Sequence, residues 1–271
     1  MVFPTETVYG LGAPLFNEEA VRRIFLIKNR PNDNPLIAHI ASIEEAERLS
    51  PCLPESFYAL AEAFWPGPLA IVVERRSEVP SSVSAGWPSI AIRMPSHPIA
   101  RKLIEAVGEP LVAPSANLSG RPSPTSVRDV LEDLEGKVPY VIDGGECEVG
   151  IESTVISLFH KVPTLLRPGK ITREMLEKVL GEPVALPSKA DPILSPGMKY
   201  RHYAPKALVR LVYKLEDLSG PFLIPTAKNL YAELREADRL GIAQIEIFCD
   251  TAVRNDMALM NRLLRAAGQY E

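Results

Sequence analysis

Short apolar runs alternate with amphipathic stretches through the first two thirds of the chain. "PLIAHIA" (35–41), "LAIVVE" (69–74), "SIAIRM" (89–94), "PLVAPS" (110–115), "YVID" (140–143) and "STVISLF" (153–159) have strand length and β-branched content. Helical periodicity falls between them over 17–29, 54–64, 97–107 and 126–134. Asn17 stands where an N-cap belongs, and Ser126 with Asp129 three residues on spells a capping box. Pro168 and Gly169 close a last strand, after which "TREMLEKVLG" reads as a helix ended by Gly181. This alternation predicts an α/β sheet domain over 1–181. No periodicity is visible from 182 to 205, which predicts a linker. Beyond it "LVRLVY", "PFLIPT" and "AQIEIF" alternate with helical patterns over "AKNLYAELREADRLG" and "NDMALMNRLLRAAG". Residues 206–271 therefore predict a second, small α/β domain.

Composition narrows the function classes. With 271 residues, 46% hydrophobic and 24% charged, the chain is long enough for two ordinary domains with real cores. A net charge of -4 and a pI near 5.7 give no basic excess to neutralise nucleic-acid phosphates, so a small-molecule substrate is expected. Cys52, Cys147 and Cys249 fall in no paired spacing, which suits a reducing compartment, and a cytoplasmic location is expected. The longest apolar runs are of strand length, far below the ~20 residues of a membrane helix. Proline outnumbers glycine 26 to 16, and most of these prolines sit at loop ends, where a fixed φ makes rigid loops.

Familiar phosphate and hydrolase motifs are absent: the chain has no GxxxxGK[ST], GxGxxG, HExxH or GxSxG. His39, His97, His160 and His202 are too dispersed to spell a metal site. What remains is a set of loops rich in hydroxyls, amides and cations. "FPTETVYGLG" carries Thr5, Thr7 and Tyr9; "KNRPNDNP" carries Lys28, Arg30 and Asn34; "PSANLSGRPSPT" carries Ser115, Asn117 and Ser123; "GIESTV" carries Ser153 and Thr154. Together they suit a pocket for an anion with amine and hydroxyl groups nearby. Taken singly, each has a plainer explanation. Lys28 and Arg30 complement a helix C-terminus, the polar loops are turn chemistry, and His39 is a core histidine. Arg93 is harder to dismiss, because an arginine alternating within an apolar strand must meet an anion or solvent on its face, and Ser89 lies on the same side.

The motifs "FPTETVYGLG", "KNRPNDNPL", "PSANLSGRPSPT", "GIESTV", "LRPG" and "SPGMKYRHYAPK" occur in one order over residues 2–206. In that order they closely resemble the threonylcarbamoyl-AMP synthase (YrdC) family in its long two-domain form, and "NLYAELREAD" with "MNRLLRAA" resembles its C-terminal domain. The resemblance implies a twisted mixed-sheet YrdC-like catalytic domain, a linker acting as an active-site lid, and a small Rossmann-like domain. It implies an enzyme that makes L-threonylcarbamoyladenylate and pyrophosphate from L-threonine, bicarbonate or CO2, and ATP with Mg²⁺, for threonylcarbamoyladenosine modification of tRNA by downstream transferase proteins. Carried over residue by residue, Thr7, His39, Arg93, Ala113 and Ser153 look like threonine contacts. Arg30, Asn34, Ser89, Ser115, Ser123, Arg167 and Tyr203 look like ATP contacts, and Lys28, Arg30, Ser115 and Asn117 form the family's catalytic signature. No metal-ligating side chain is implied.

Two departures bear on the expectation. In the family a helix and most of a strand precede "PTETVYG", whereas Met1 here stands three residues before Pro4, so the expectation is a chain that is truncated, mis-started or partly represented, with one sheet edge left open. The second domain is also shorter than usual. Carbamoyl transfer of the hydrogenase-maturation kind would require acylphosphatase and zinc-finger modules that this sequence lacks. An RNA-binding module of the same fold without catalysis is the remaining alternative, and direct tRNA binding is left open.

Overall fold

The computed structural model describes residues 1–187 and 202–269. Its main sheet has seven strands. Chain order gives β1 (Val2–Phe3), β2 (Gly10–Leu11), β3 (Ala13–Pro14), α1 (Glu18–Lys28), β4 (Ile37–His39), α2 (Ile43–Leu49), α3 (Glu55–Phe64), β5 (Leu69–Glu74), β6 (Ser89–Arg93), α4 (Pro98–Val107), β7 (Leu111–Val112), α5 (Val127–Leu134), β8 (Thr154–Ser157), β9 (Thr164–Arg167) and α6 (Arg173–Leu180). The sheet runs β3-β7-β4-β6-β5-β8-β9, with β4/β6 and β5/β8 parallel and the other neighbours antiparallel. β1 and β2 form a separate antiparallel pair. This is the α/β sheet that the pattern predicts, in the twisted mixed form that the family resemblance implies.

The central strands show why the sequence reads as it does. Leu69 to Val73 are all buried, because β5 is covered on both faces and so is apolar throughout. On β6 the side chains alternate: Ile90 and Ile92 join the large core, while Ala91 joins Ile37, Ala70, Val72, Val155 and Leu166 on the opposite face. Ser89 and Arg93 share that second face by the period of two, and so does His39, which pairs with Arg93 across β4/β6.

Helix ends follow local chemistry. Asn17 caps α1 by accepting from the Ala20 amide at 3.0 Å, and α1 stops at Asn29, which is left-handed at φ 51°. Ser126 and Asp129 form the expected capping box on α5. Two expectations differ. "YVID" makes only an isolated bridge from Val141 to Val2 rather than a strand, and α2 forms where no helix was read, although its own capping box, Ser42 with Glu45, is spelled in the sequence.

The second unit contains β10 (Leu208–Val212), the 3₁₀ turn Leu215–Asp217, β11 (Phe222–Leu223), α7 (Leu230–Arg239), β12 (Gln244–Phe248), α8 (Thr251–Asn255) and α9 (Met257–Ala266). Its strands are parallel in the order β10-β12-β11, a small Rossmann-like arrangement. Of the expected linker over 182–205, residues 188–201 lie outside the described residues; before them Ala185 still bridges to Thr164.

The two units share a core. Val8, Val149 and Ile151 from the first pack into the cluster of Leu230, Tyr231, Leu234, Ile247 and Leu263 in the second. Gly150, at φ 83°, lets the backbones touch there, since a Cβ would lie 2.4 Å from the Lys228 carbonyl oxygen. Buried arginines bind across the seam: Arg235 meets Asp133 at 2.9 Å, and Arg262 meets Glu152 at 2.9 Å.

Candidate active site

The loops that the sequence singles out converge on one pocket. Thr5, Thr7, Arg30, His39, Arg93, Ala113, Ser115, Glu152, Ser153, Arg167, His202 and Tyr203 all line it, around a cavity of about 60 Å³. Arg30, Arg93 and Arg167 bring three guanidinium groups to a wall that also carries hydroxyls, aromatic rings and one carboxylate. That is a site for an anion with polar groups attached.

Each wall is set by a local arrangement. Thr5 Oγ1 donates to the Val8 carbonyl at 2.6 Å and sits 2.9 Å from Thr7 Oγ1, folding the first loop so that Thr7 faces inward. Tyr9 Oη ties the loop down by donating to the Gly145 carbonyl at 2.7 Å. Arg30 follows the end of α1, where its amide donates to the Phe25 carbonyl at 2.9 Å; its guanidinium donates to the carbonyls of Asn34 at 3.2 Å and Pro35 at 2.9 Å. Burial lowers the Arg30 pKa to about 10, which leaves it charged at neutral pH.

Lys28 lies behind the wall. Its buried ammonium donates to the Ser115 carbonyl at 2.5 Å, to the Asn117 carbonyl and, at 3.4 Å, to Asn117 Oδ1. Asn117 in turn accepts from Ser115 Oγ at 2.5 Å and donates to the carbonyls of Leu118 at 2.9 Å and Arg121 at 2.8 Å. Lys28 and Asn117 therefore shape the loop that presents Ala113 and Ser115. Burial, then the nearby Arg30, hold the Lys28 pKa well below that of a solvated lysine. The helix-dipole reading of Lys28 gives way to this tertiary role, since its nitrogen reaches carbonyls of another loop.

The deep end of the pocket belongs to Arg93 and His39. Arg93 Nη2 is 2.7 Å from Glu6 Oε1, both residues being buried, yet neither Nη2 nor Nε is aligned for a hydrogen bond. The guanidinium is thus held from behind by Glu6 while its residue lines the pocket. His39 Nδ1 is 3.1 Å from the Ile37 carbonyl. Burial, and then Arg93, bring its pKa to about 3, so the ring is neutral.

At the far side Arg167 donates to the Ser153 carbonyl at 3.0 Å and to Ser153 Oγ at 3.2 Å. Gly169 allows this turn, since a Cβ there would come within 2.4 Å of the Thr154 amide nitrogen. Tyr203 is buried, left-handed at φ 64°, and held by its neighbour Ala204, whose amide donates to the Gly120 carbonyl at 2.9 Å. Such a conformation is uncommon for an aromatic residue and persists where surroundings over-determine it. Tyr200 and Arg201 of the same motif lie outside the described residues.

Comparison with known proteins agrees with this geometry. The Sua5/YciO/YrdC family, described as "Telomere recombination", matches residues 1–169, and the "Threonylcarbamoyl-AMP synthase, C-terminal domain" family matches 171–221 and 223–268. The threonylcarbamoyl-AMP synthase of Pyrococcus abyssi is 44% identical over 99% of this chain and 90% of its own length. The chain belongs to the threonylcarbamoyl-AMP synthase family. That of Bacillus subtilis is 41% identical over 99% of this chain and 89% of its own. The crystal structure of P. abyssi Sua5 complexed with L-threonine superposes with a TM-score of 0.92 at 43% identity, covering 99% of this chain and 90% of that one.

Of the residues that the family resemblance singles out, Thr7, Arg30, His39, Arg93, Ala113, Ser115, Ser153, Arg167 and Tyr203 line the pocket. Five do not. Lys28 and Asn117 stand behind it, Asn34 offers its carbonyl to Arg30, Ser123 Oγ donates to Glu152 Oε1 at 2.5 Å, and Ser89 is buried at the far end of β6. Glu6 and Glu152 were not singled out, and His202 was read only as part of the "SPGMKYRHYAPK" run, with no role of its own. Their signals were weak: an acid beside hydroxyl residues is visible in "PTETV" and "GIEST", but its partner is not. Glu152 is the single carboxylate lining the pocket among the described residues, and both its oxygens already accept hydrogen bonds. These residues do not fit a protein-held Mg²⁺, which prefers carboxylates with room for water.

Proposed function

We propose that this chain is an L-threonylcarbamoyladenylate synthase, condensing L-threonine, bicarbonate or CO2, and ATP, with release of pyrophosphate. The observation that carries the reading is the convergence of three buried guanidinium groups, Arg93, Arg30 and Arg167, on one pocket. An amino-acid carboxylate suits the first and a polyphosphate the other two.

Threonine is placed with its carboxylate on Arg93 and its polar groups toward Thr7, His39 and Ser153. Its amine captures CO2 as a carbamate, losing a proton. A carbamate oxygen then attacks the α-phosphorus of ATP as the bond to the pyrophosphate oxygen breaks. No protein nucleophile is needed. The displacement gains from holding the two reactants in line and from fixed cations around the phosphoryl oxygens, which Arg30 and Arg167 supply without reorganising. His39 stays neutral beside Arg93 and adds no competing charge. His202 and Tyr203 border the pocket and limit water access to a labile carbamate and mixed anhydride. Mg²⁺ is assigned to the nucleotide and enters with ATP.

The product fits transfer of the threonylcarbamoyl group to an adenosine of tRNA by downstream proteins. A cytoplasmic location fits that role, and no helix among the described residues is long and apolar enough to cross a membrane.

The deciding experiment measures pyrophosphate release from Mg²⁺ and ATP with threonine and bicarbonate added singly and together. Release that requires both supports the synthase. Release indifferent to threonine refutes it, and salt-sensitive RNA binding that survives loss of Arg30 and Arg93 supports the non-catalytic module instead. Arg30→Ala is expected to lower kcat/KM by about 10²-fold or more while leaving the melting temperature close to that of the parent.

A further inference from the structure

Glu152 is an unusual wall for a nucleotide pocket, because a buried carboxylate repels phosphate and competes for arginine. The structure shows how it is occupied. Oε1 accepts from Ser123, while Oε2 accepts from Tyr231 Oη at 2.9 Å and Arg262 Nε at 2.9 Å, both from the second unit. Arg262 is 0% exposed, donates also to the Pro168 carbonyl at 3.0 Å, and lies 5.4 Å from the centre of the Tyr203 ring. Tyr203 and Tyr231 have ring centres 5.5 Å apart. The seam between the units is thus continuous with the pocket wall.

Two guanidinium groups border this carboxylate, and they are used differently. Arg262 pairs with Glu152, whereas Arg167 donates to the carbonyl and hydroxyl of Ser153. Both nonetheless sit near enough to hold the Glu152 carboxyl below its ordinary pKa against the opposing effect of burial. Without Arg262, Glu152 would be a buried anion sharing the pocket wall with Arg167, and pairing between them would draw Arg167 off the pocket.

We propose that Arg262 and Tyr231 are positioning residues for the nucleotide site: by occupying Glu152 from behind, they keep Arg167 turned into the pocket and brace Tyr203 against it. The second unit then sets ATP affinity without touching ATP. This rests on the reading of Arg167 as a nucleotide contact.

The test is steady-state kinetics of the full chain. Arg262→Gln is expected to raise the KM for ATP about tenfold while the KM for threonine moves by less than about twofold, the size of a lost charged hydrogen bond. Adding Glu152→Gln to that variant is expected to return the ATP KM most of the way, because a neutral amide no longer competes for Arg167. A purely structural Arg262 would shift both KM values and gain nothing from the second change. An unchanged ATP KM in Arg262→Gln, or no recovery in the double variant, overturns the proposal. Should Arg262→Gln fail to fold, Tyr231→Phe takes its place, with an ATP KM raised about two- to threefold expected and no change counting against it. Arg167→Ala separates the layers. If it leaves the ATP KM unaltered, the nucleotide assignment itself falls; if it raises that KM while Arg262→Gln is silent, only the positioning role falls.

Discussion

Arg235 and Arg262 both leave the second unit, are both 0% exposed, and both end on a carboxylate of the first. Their surroundings differ. Arg235 also donates to the Pro122 carbonyl at 2.7 Å, and its partner Asp133 accepts from Arg121 and from the Leu118 amide at 3.1 Å, with no contact to the pocket. Arg262 meets a carboxylate that is itself pocket wall. The same chemistry is thus an anchor in one place and a control on affinity in the other, and what decides is what the carboxylate would do if released. Asp133 would keep Arg121 and the Leu118 amide as partners, whereas Glu152 shares the pocket wall with Arg167.

The sharpest way to break this contrast is Arg235→Ala. Removing one partner of a buried pair is expected to cost about 3–5 kcal/mol of stability, read as a shift in the urea midpoint, while the ATP KM of the folded protein stays within about twofold. An ATP KM raised as far as in Arg262→Gln would make the two bridges equivalent. Gly150→Ala tests the seam between them without touching a charge. The added methyl would meet the Lys228 backbone at a positive φ, and about 2–3 kcal/mol of destabilisation is expected in the same titration, with both KM values following only if the units shift.

The smallest effect concerns pH and removes a rival explanation. His39 has a folded-state pKa of about 3 against an ordinary 6.5, so the unfolded chain takes up more protons between those values and stability falls as pH drops through them. At pH 5 the penalty is about 2 kcal/mol relative to pH 7, and His39→Gln is expected to lack this component in urea titrations at the two values. Glu152 stays ionised over that range because its pKa is lowered, so the acid loss does not belong to the Arg262 bridge. Equal acid loss in parent and variant would move it back there.

What the sequence made legible was local. β5 and α1 could be read to the residue or nearly so, because a continuous apolar run and an Asn17 cap are written in neighbouring positions. The pocket loops were also legible, and nine of the fourteen residues inferred for the site line it. Lys28 was legible as important but not as a girder, since its carbonyl partners are 87 and 89 residues away. Glu152 could not be found at all by pattern: the partner that gives it meaning is 110 residues later, on a different sheet's helix. α2 was overlooked for another reason, being only 7 residues long, although its capping box was on the page.

The Glu152 bridge also has a bearing on how the protein is made. A first unit leaving the ribosome already contains Glu152, Ser123 and Arg167, but its cation arrives only when α9 has been synthesised and has docked. Until then the nascent pocket holds an acid facing an arginine, and Val8, Val149 and Ile151 lie uncovered beside it. The growing chain is therefore expected to carry an immature nucleotide site, one that becomes competent late and in a single docking event.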